Sequence, residues 1–233
     1  MTQCAKDKWE LFVFDWDGTV MDTTYLIARA LQEASLKLGY AAPTMETARA
    51  AIGMGWAEII QMVCPECPPE RYDAFCQAYR DWYIHREATV RLYEHMPELL
   101  QAMHQAGLRL AVATGKSRLG LNRVFGLTGI GPLFEATRTA DESFSKPNPA
   151  MLYELSDETG VPVDRMVMIG DTTHDLLMAQ NAGCDGVGLT YGAGTRQQLE
   201  SIPSLAVVDS VRELADVLGL GHLLAAKLDQ SEA

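Results

Sequence analysis

The chain is short of positive charge. Its 233 residues carry 19 Lys and Arg against 31 Asp and Glu, a formal net charge of −12, and no basic stripe interrupts the acidic excess. A nucleic acid or an anionic membrane surface needs such a stripe, so neither is expected as a partner. Long apolar runs are missing too: none approaches the roughly 18 uninterrupted residues of a membrane span. The opening MTQCAKDKWE has no apolar signal core, and the cytoplasm is the expected location. Cysteine is sparse, with five residues at 4, 64, 67, 76 and 184. An odd set without framework spacing, in a chain too long to need staples, reads as reduced thiols. Cys64, Cys67, Cys76 and His85 could be gathered into a zinc site. Against that, Cys76 lies among Tyr72, Phe75, Tyr79 and Tyr83 at helical spacing, where a free cysteine packs as a small hydrophobe.

Several familiar catalytic signatures are also absent. No serine sits in a G-x-S-x-G elbow, which argues against a serine hydrolase. Gly115-Lys116-Ser117 lacks the glycine that a phosphate-binding P-loop needs at position 110, where Leu110 stands, and Gly186, Gly188, Gly192 and Gly194 miss the dinucleotide spacing. Histidines 85, 95, 104, 174 and 222 share no helix face or loop and read as surface or capping groups.

What is present begins with LFVFDWDGTVMDTT at 11–24. Leu11 to Phe14 read as a buried strand that ends on two carboxylates, a costly arrangement unless a cation is near. Apolar residues at helical steps follow through Leu38, then helical stretches about Met45 to Val63, interrupted at Gly53-Met54-Gly55, and Glu70 to Glu87, with no strand pattern from 23 to 88. Beyond Tyr93 helices and strands alternate: helix 97–105, strand 108–113, helix 117–125, helix 149–159, strand 165–169, helix 174–182, strands 186–189 and 205–208, and helix 211–218. The tail from Asp229 is expected to fray. Alternation of this kind predicts an α/β fold with a doubly wound parallel sheet. The division that follows is a core of 1–22 and 89–233 and an inserted, all-helical unit of 23–88.

In open α/β sheets ligands sit beyond the carboxyl ends of the strands. Asp15, Asp17, Gly18 and Thr19 follow one strand, Thr114 and Gly115 another, and Asp171 and Asp175 a third, while Lys146 precedes a helix. Taken singly each has an ordinary structural use, as a cap or a solvated charge, but together they fall at one edge. Asp15 and Asp17 share a face of an extended segment, and Asp171 and Asp175 share a face of a helix start. Two like charges 4 Å apart repel by roughly 4 kcal/mol at an effective dielectric of 20. Four converging carboxylates therefore demand a metal and a lysine. Oxygen ligands on loops suit Mg²⁺, and Thr114, the Gly115 amide and Lys146 suit a phosphate.

The ordered motifs FDWDGTVMDT, ATGK, SKPNP and MIGDTTHD resemble those of the haloacid dehalogenase superfamily, and the helical block resembles the cap of its phosphoglycolate phosphatase-like branch. The resemblance implies a Rossmann-like core and an Mg²⁺-dependent phosphomonoester hydrolase acting on a small phosphorylated metabolite, phosphoglycolate being the leading candidate. It implies Asp15 as nucleophile, passing through an aspartyl phosphate, and Asp17 as general acid and base. The metal would be held by Asp15, the main-chain carbonyl of Asp17 and Asp171, with Asp175 behind them and Gly18 at the tight turn. Thr114, Gly115 and Lys146 would bind phosphate oxygens. Gly115 stands where relatives often carry Asn, and Trp16 is bulkier than the usual residue between the two aspartates. Gly55 and Trp56, at the break between cap helices, are expected to touch the leaving group. The alternatives are a phosphosugar mutase, which would need a histidine near Ile27, and a catalytically idle relative that binds phosphate or a partner protein. No pattern in the sequence sets an oligomeric state.

Overall fold

A computed structural model describes residues 8–231. Its frame is a six-stranded parallel sheet: β1 (Leu11–Phe14), β2 (Arg109–Thr114), β3 (Ala136–Thr139), β4 (Met166–Gly170), β5 (Asp185–Leu189) and β6 (Ala206–Val208). The spatial order is β3-β2-β1-β4-β5-β6. β1 lies in the middle because all of its side chains are apolar and can be buried on both faces. Phe12 and Phe14 join the core on one face, and Leu11 and Val13 that on the other. β1 pairs Phe14 with Val112 of β2 and with Ile169 of β4. The chain winds outward from β1 to β3, then returns to β4 and continues to β6. Between β1 and β4 the winding reverses, which is where a crevice opens beyond the carboxyl ends of a doubly wound sheet.

Helices α1 (Thr24–Lys37), α2 (Met45–Ala50), α3 (Trp56–Val63) and α4 (Tyr72–Glu87) follow β1. They enclose an apolar cluster of their own, built around Leu31, Ile60, Val63 and Phe75. Cys64, Cys67 and Cys76 are buried in this cluster as free thiols, and burial raises the pKa of Cys64 and of Cys76. His85 is exposed. Among the described residues these groups do not assemble a metal site. Cys4 lies outside the described residues.

The remaining helices cover the sheet: α5 (Met96–Gln105), α6 (Arg118–Thr128), α7 (Ala150–Thr159), α8 (Thr173–Ala182), α9 (Arg196–Glu200), α10 (Val211–Val217) and α11 (Gly221–Ser231). Three elements lie outside the sequence reading: β3, α11 and the five-residue helix α9, which is entered through a Thr195 cap. β3 went unseen because its sequence, Ala-Thr-Arg-Thr, is polar, as an edge strand can be. The tail expected to fray from Asp229 is helical through Ser231, because Leu224 is buried in the core and Leu223 and Leu228 pack against it.

Candidate active site

The site starts where β1 ends. Asp15 continues the ladder by donating its N–H to the Ile169 carbonyl at 2.9 Å. The chain then turns tightly: the Trp16 carbonyl accepts the N–H groups of Thr19, Val20 and Met21 at 3.3, 2.9 and 3.0 Å. Gly18 makes this turn with φ +86°, and a Cβ there would stand 2.1 Å from Asp171 Oδ2. Only glycine satisfies both the left-handed backbone and the close approach. Trp16 points away from the site, fully buried, with its ring edge-on to Phe125 at 5.1 Å and to Phe134 at 6.1 Å. The bulk between the two aspartates is thus core packing.

β4 delivers the second carboxylate. Asp171 accepts the Thr19 hydroxyl at 2.9 Å and the Ala193 N–H at 2.7 Å. Gly192 approaches so closely that a Cβ on it would lie 2.2 Å from Asp171 Cβ. Asp175 sits in the first turn of α8, where its Oδ2 accepts the N–H (3.0 Å) and hydroxyl (2.7 Å) of Thr172 in a capping box. Lys146, on the loop before α7, is buried with its Nζ 2.8 Å from Asp15 Oδ1 and 2.6 Å from Asp175 Oδ1. The approach to Asp15 is an ion pair whose alignment leaves Oδ1 without a hydrogen-bond donor.

Asp15, Asp171 and Asp175 each offer an oxygen within 4.8 Å of the others, and all three are buried. Burial pushes the Asp15 carboxyl up to about 7, against the pull of Lys146 and with a further push from Asp175. Asp171 is likewise raised by burial, then by Asp15 and Asp175. Burial opposes the charge on Lys146, but the two carboxylates outweigh it and hold its pKa above the ordinary value. Three carboxylates thus face one ammonium, and the shortfall of positive charge matches a divalent cation. All-oxygen donors suit Mg²⁺. Asp175, which already accepts from Lys146 and Thr172, is placed to support the other two.

The expected convergence of four carboxylates is corrected to three. The Asp17 carboxylate turns instead to Lys116, whose Nζ donates to its two oxygens at 3.0 and 3.2 Å, and it accepts the Thr23 hydroxyl at 2.8 Å. Thr114 closes β2, fully buried, with its hydroxyl accepting the Lys116 N–H at 3.2 Å. At Gly115 an added Cβ would meet nothing within 4 Å. Asp15, Asp17, Thr114 and Gly115 open onto one cavity of about 410 Å³, roofed by Gly53, Met54 and Trp56. Gly55 does not line that cavity; it lies against Ser145, whose Oγ would be 3.2 Å from its Cβ. A hollow over Arg118 and Arg138 at the β3 edge does not include these residues.

The haloacid dehalogenase-like hydrolase family model matches residues 12–189. The chain belongs to the haloacid dehalogenase-like hydrolases. It is 32% identical over 220 residues to a phosphoglycolate phosphatase of Vibrio vulnificus (strain YJ016), covering 90% of this chain and 96% of the relative. It is 26% identical over 213 residues to the pyrophosphatase PpaX of Anoxybacillus flavithermus (strain DSM 21510 / WK1), covering 89% and 96%. A solved hydrolase from Pseudomonas syringae superposes with a TM-score of 0.82 at 24% identity, covering 91% of this chain and 98% of that one. The chain is accordingly an enzyme, a phosphatase of this family.

Sequence reasoning passed over several residues of this hydrolase's site. Lys116 enters the sequence reading only within the ATGK motif and an unmatched P-loop, yet its side chain is 7% exposed and sits 3.4 Å from Glu87 Oε1 as well as on Asp17. Glu87, at the end of α4, is fully buried and also pairs with Arg123 of α6. Tyr83 receives a hydrogen bond from Lys116 Nζ at 3.3 Å. No spacing rule marks Glu87, because its partners come from two segments far along the chain. His174, read as a surface or capping group, is half-buried with Nδ1 unpartnered, and burial lowers its pKa. It stands where the Gly53 turn meets α8, 3.8 Å from a Cβ built on Gly53.

Proposed function

We propose that the chain is a Mg²⁺-dependent phosphomonoester hydrolase working through an aspartyl phosphate on Asp15. The observation that carries this reading is the placement of Asp15 at the winding reversal, with Lys146 2.8 Å away and Thr114, Gly115 and Asp17 on the same cavity. Asp15 and Asp171, with the main-chain carbonyl of Asp17, would hold the ion, and Asp175 would support them. The ion would offset charge on the phosphoryl oxygens and orient them.

Within that frame the side chains divide the work. A carboxylate oxygen of Asp15 forms a bond to phosphorus as the ester P–O bond breaks, and the departing alkoxide takes a proton from Asp17. Water then attacks the phosphorus of the acyl phosphate, giving a proton to Asp17, and inorganic phosphate leaves with Asp15 restored. The Thr114 hydroxyl, the Gly115 N–H and Lys146 steady the phosphoryl oxygens. Lys116 and Thr23 aim the Asp17 carboxylate. The helices of 23–88 act as a cap on a core of 1–22 and 89–233, excluding water and contacting the leaving group. Gly55 helps seat this cap on Ser145, and Trp56 faces the leaving group. The substrate is a small phosphate ester in the cytoplasm; phosphoglycolate is supported by the name of the Vibrio relative. Ile27 lines the cavity where a mutase would need histidine, which favours hydrolysis.

The intermediate gives the direct test. Quenching the enzyme during turnover of para-nitrophenyl phosphate with hydroxylamine should convert Asp15, and no other carboxylate, into a hydroxamate detectable by peptide mass. Steady Mg²⁺-dependent turnover without any hydroxamate would contradict the covalent route.

A further inference from the structure

Beyond the phosphoryl end, the 410 Å³ cavity has the volume of sites that take ligands well above the size of phosphoglycolate. Its far wall comes from the helical block and is apolar: Ile27, Leu31, Met54, Trp56, Tyr79 and Tyr83 line it. Three of these form an aromatic series. Trp56 meets Tyr79 edge-on with centroids 4.9 Å apart, and Tyr79 stacks on Tyr83 at 5.4 Å with 14° between planes. The three rings brace one another and line the cavity as one aromatic wall, against which a flat guest can pack at the separations where aromatic pairs attract.

The charge inventory points the same way. A leaving group with its own carboxylate needs a cation that is not already committed. Lys116 is held by Asp17, Glu87 and Tyr83. Arg123 is paired with the buried Glu87, and Arg80 is exposed at the rim beside Gln77. Lys146 belongs to Asp15 and Asp175. Asp17 and Asp141 add negative charge to the same cavity. Arg80 is the one lining cation among the described residues with no carboxylate partner, and it is exposed, so a second anion set deep against the apolar wall would be stripped of water with no buried cation free to meet it. The Tyr79 phenol stays neutral, because burial raises its pKa, and it suits a ring heteroatom or hydroxyl, while the Tyr83 hydroxyl is already engaged by Lys116.

We propose that the substrate is a phosphate monoester whose leaving group carries an uncharged ring, seated against Trp56, Tyr79 and Tyr83, and not a small carboxylic acid such as phosphoglycolate. This rests on the phosphatase reading above and departs from its phosphoglycolate candidate. The comparison that isolates the ring is benzyl phosphate against phosphoglycolate, since both leave as primary alkoxides. With Mg²⁺ the wild-type enzyme should favour benzyl phosphate by about tenfold or more in kcat/KM, and Trp56→Ala should erase most of that preference by lowering kcat/KM more for benzyl phosphate than for phosphoglycolate. Equal rates, or a preference for phosphoglycolate, overturn the ring proposal and leave the phosphatase reading intact. If neither ester nor para-nitrophenyl phosphate is hydrolysed, the phosphatase reading falls. Calorimetry of both esters with Asp15→Asn then still decides the ring, which stands if benzyl phosphate binds more tightly and is overturned if it does not.

Discussion

Asp15→Asn abolishes turnover and, in the absence of Mg²⁺, makes the protein more stable. The first half follows from the loss of the nucleophile, for which a fall of about a thousandfold or more is expected. The second follows from where the carboxyl sits. Its pKa rises from 3.8 unfolded to about 7 folded, so the native state binds the proton more tightly. As pH climbs between those values the unfolded chain ionises first, and stability is lost. The cost is complete above about pH 7 and absent below about pH 4. Asn keeps the shape and removes the charge. At pH 8 the metal-free variant should gain about 4 kcal/mol, a rise of roughly 10 °C in Tm. The gain should shrink at pH 5 and vanish near pH 4. Saturating Mg²⁺ should stabilise the wild type far more than the variant, since binding to the native state alone adds to stability by mass action. Scanning calorimetry at the three pH values checks each statement, and a variant less stable than wild type without metal at pH 8 would contradict them.

Lys116→Met should be the most damaging change outside the carboxylate cluster. The ammonium is buried between Asp17 and Glu87, and the two carboxylates hold its pKa up although burial works against it. Removing it leaves Glu87, fully buried, with Arg123 alone and frees the Asp17 carboxylate from its aim. Breaking a buried pair by deleting one partner costs about 3 to 5 kcal/mol. A misaimed acid costs about a hundredfold in kcat. The loss should fall on kcat, with KM for the phosphate ester little changed. Glu87→Gln in the same background should recover part of the stability, since it removes a buried carboxylate left with Arg123 as its one cation, without recovering kcat. If Lys116→Met instead kept wild-type kcat, the positioning role would be wrong.

How much of this was legible in the sequence depends on how local each cause is. β1 and β4 announce themselves because strands buried on both faces need unbroken apolar runs, and the carboxylates at their ends then fall at one edge of the sheet. Gly18 is legible as a turn, but its second duty, making room for Asp171, exists only once β1 and β4 are paired. Gly192 reads in the sequence only as a glycine that misses the dinucleotide spacing, yet it packs on Asp171 from the loop after β5. β3 is polar because Arg138 at the sheet edge pairs with Glu154 and Glu158 of α7. The α11 pattern of Leu220, Leu223, Leu224 and Leu228 was there to be read. Asp17 shows the limit most clearly: its strand phase says it shares a face with Asp15, and its partner, Lys116, redirects the carboxylate.

Three buried carboxylates that share one ammonium leave a charge deficit that a divalent cation would fill. Mg²⁺ titrated into the wild-type protein at pH 7, in two buffers of different ionisation enthalpy, tests it most directly. With Asp15 at about 7 and Asp171 raised, the ion should displace protons as it binds. The expected result is one Mg²⁺ per chain with release of on the order of one proton. Absence of Mg²⁺ binding, or binding with no proton release, would contradict it.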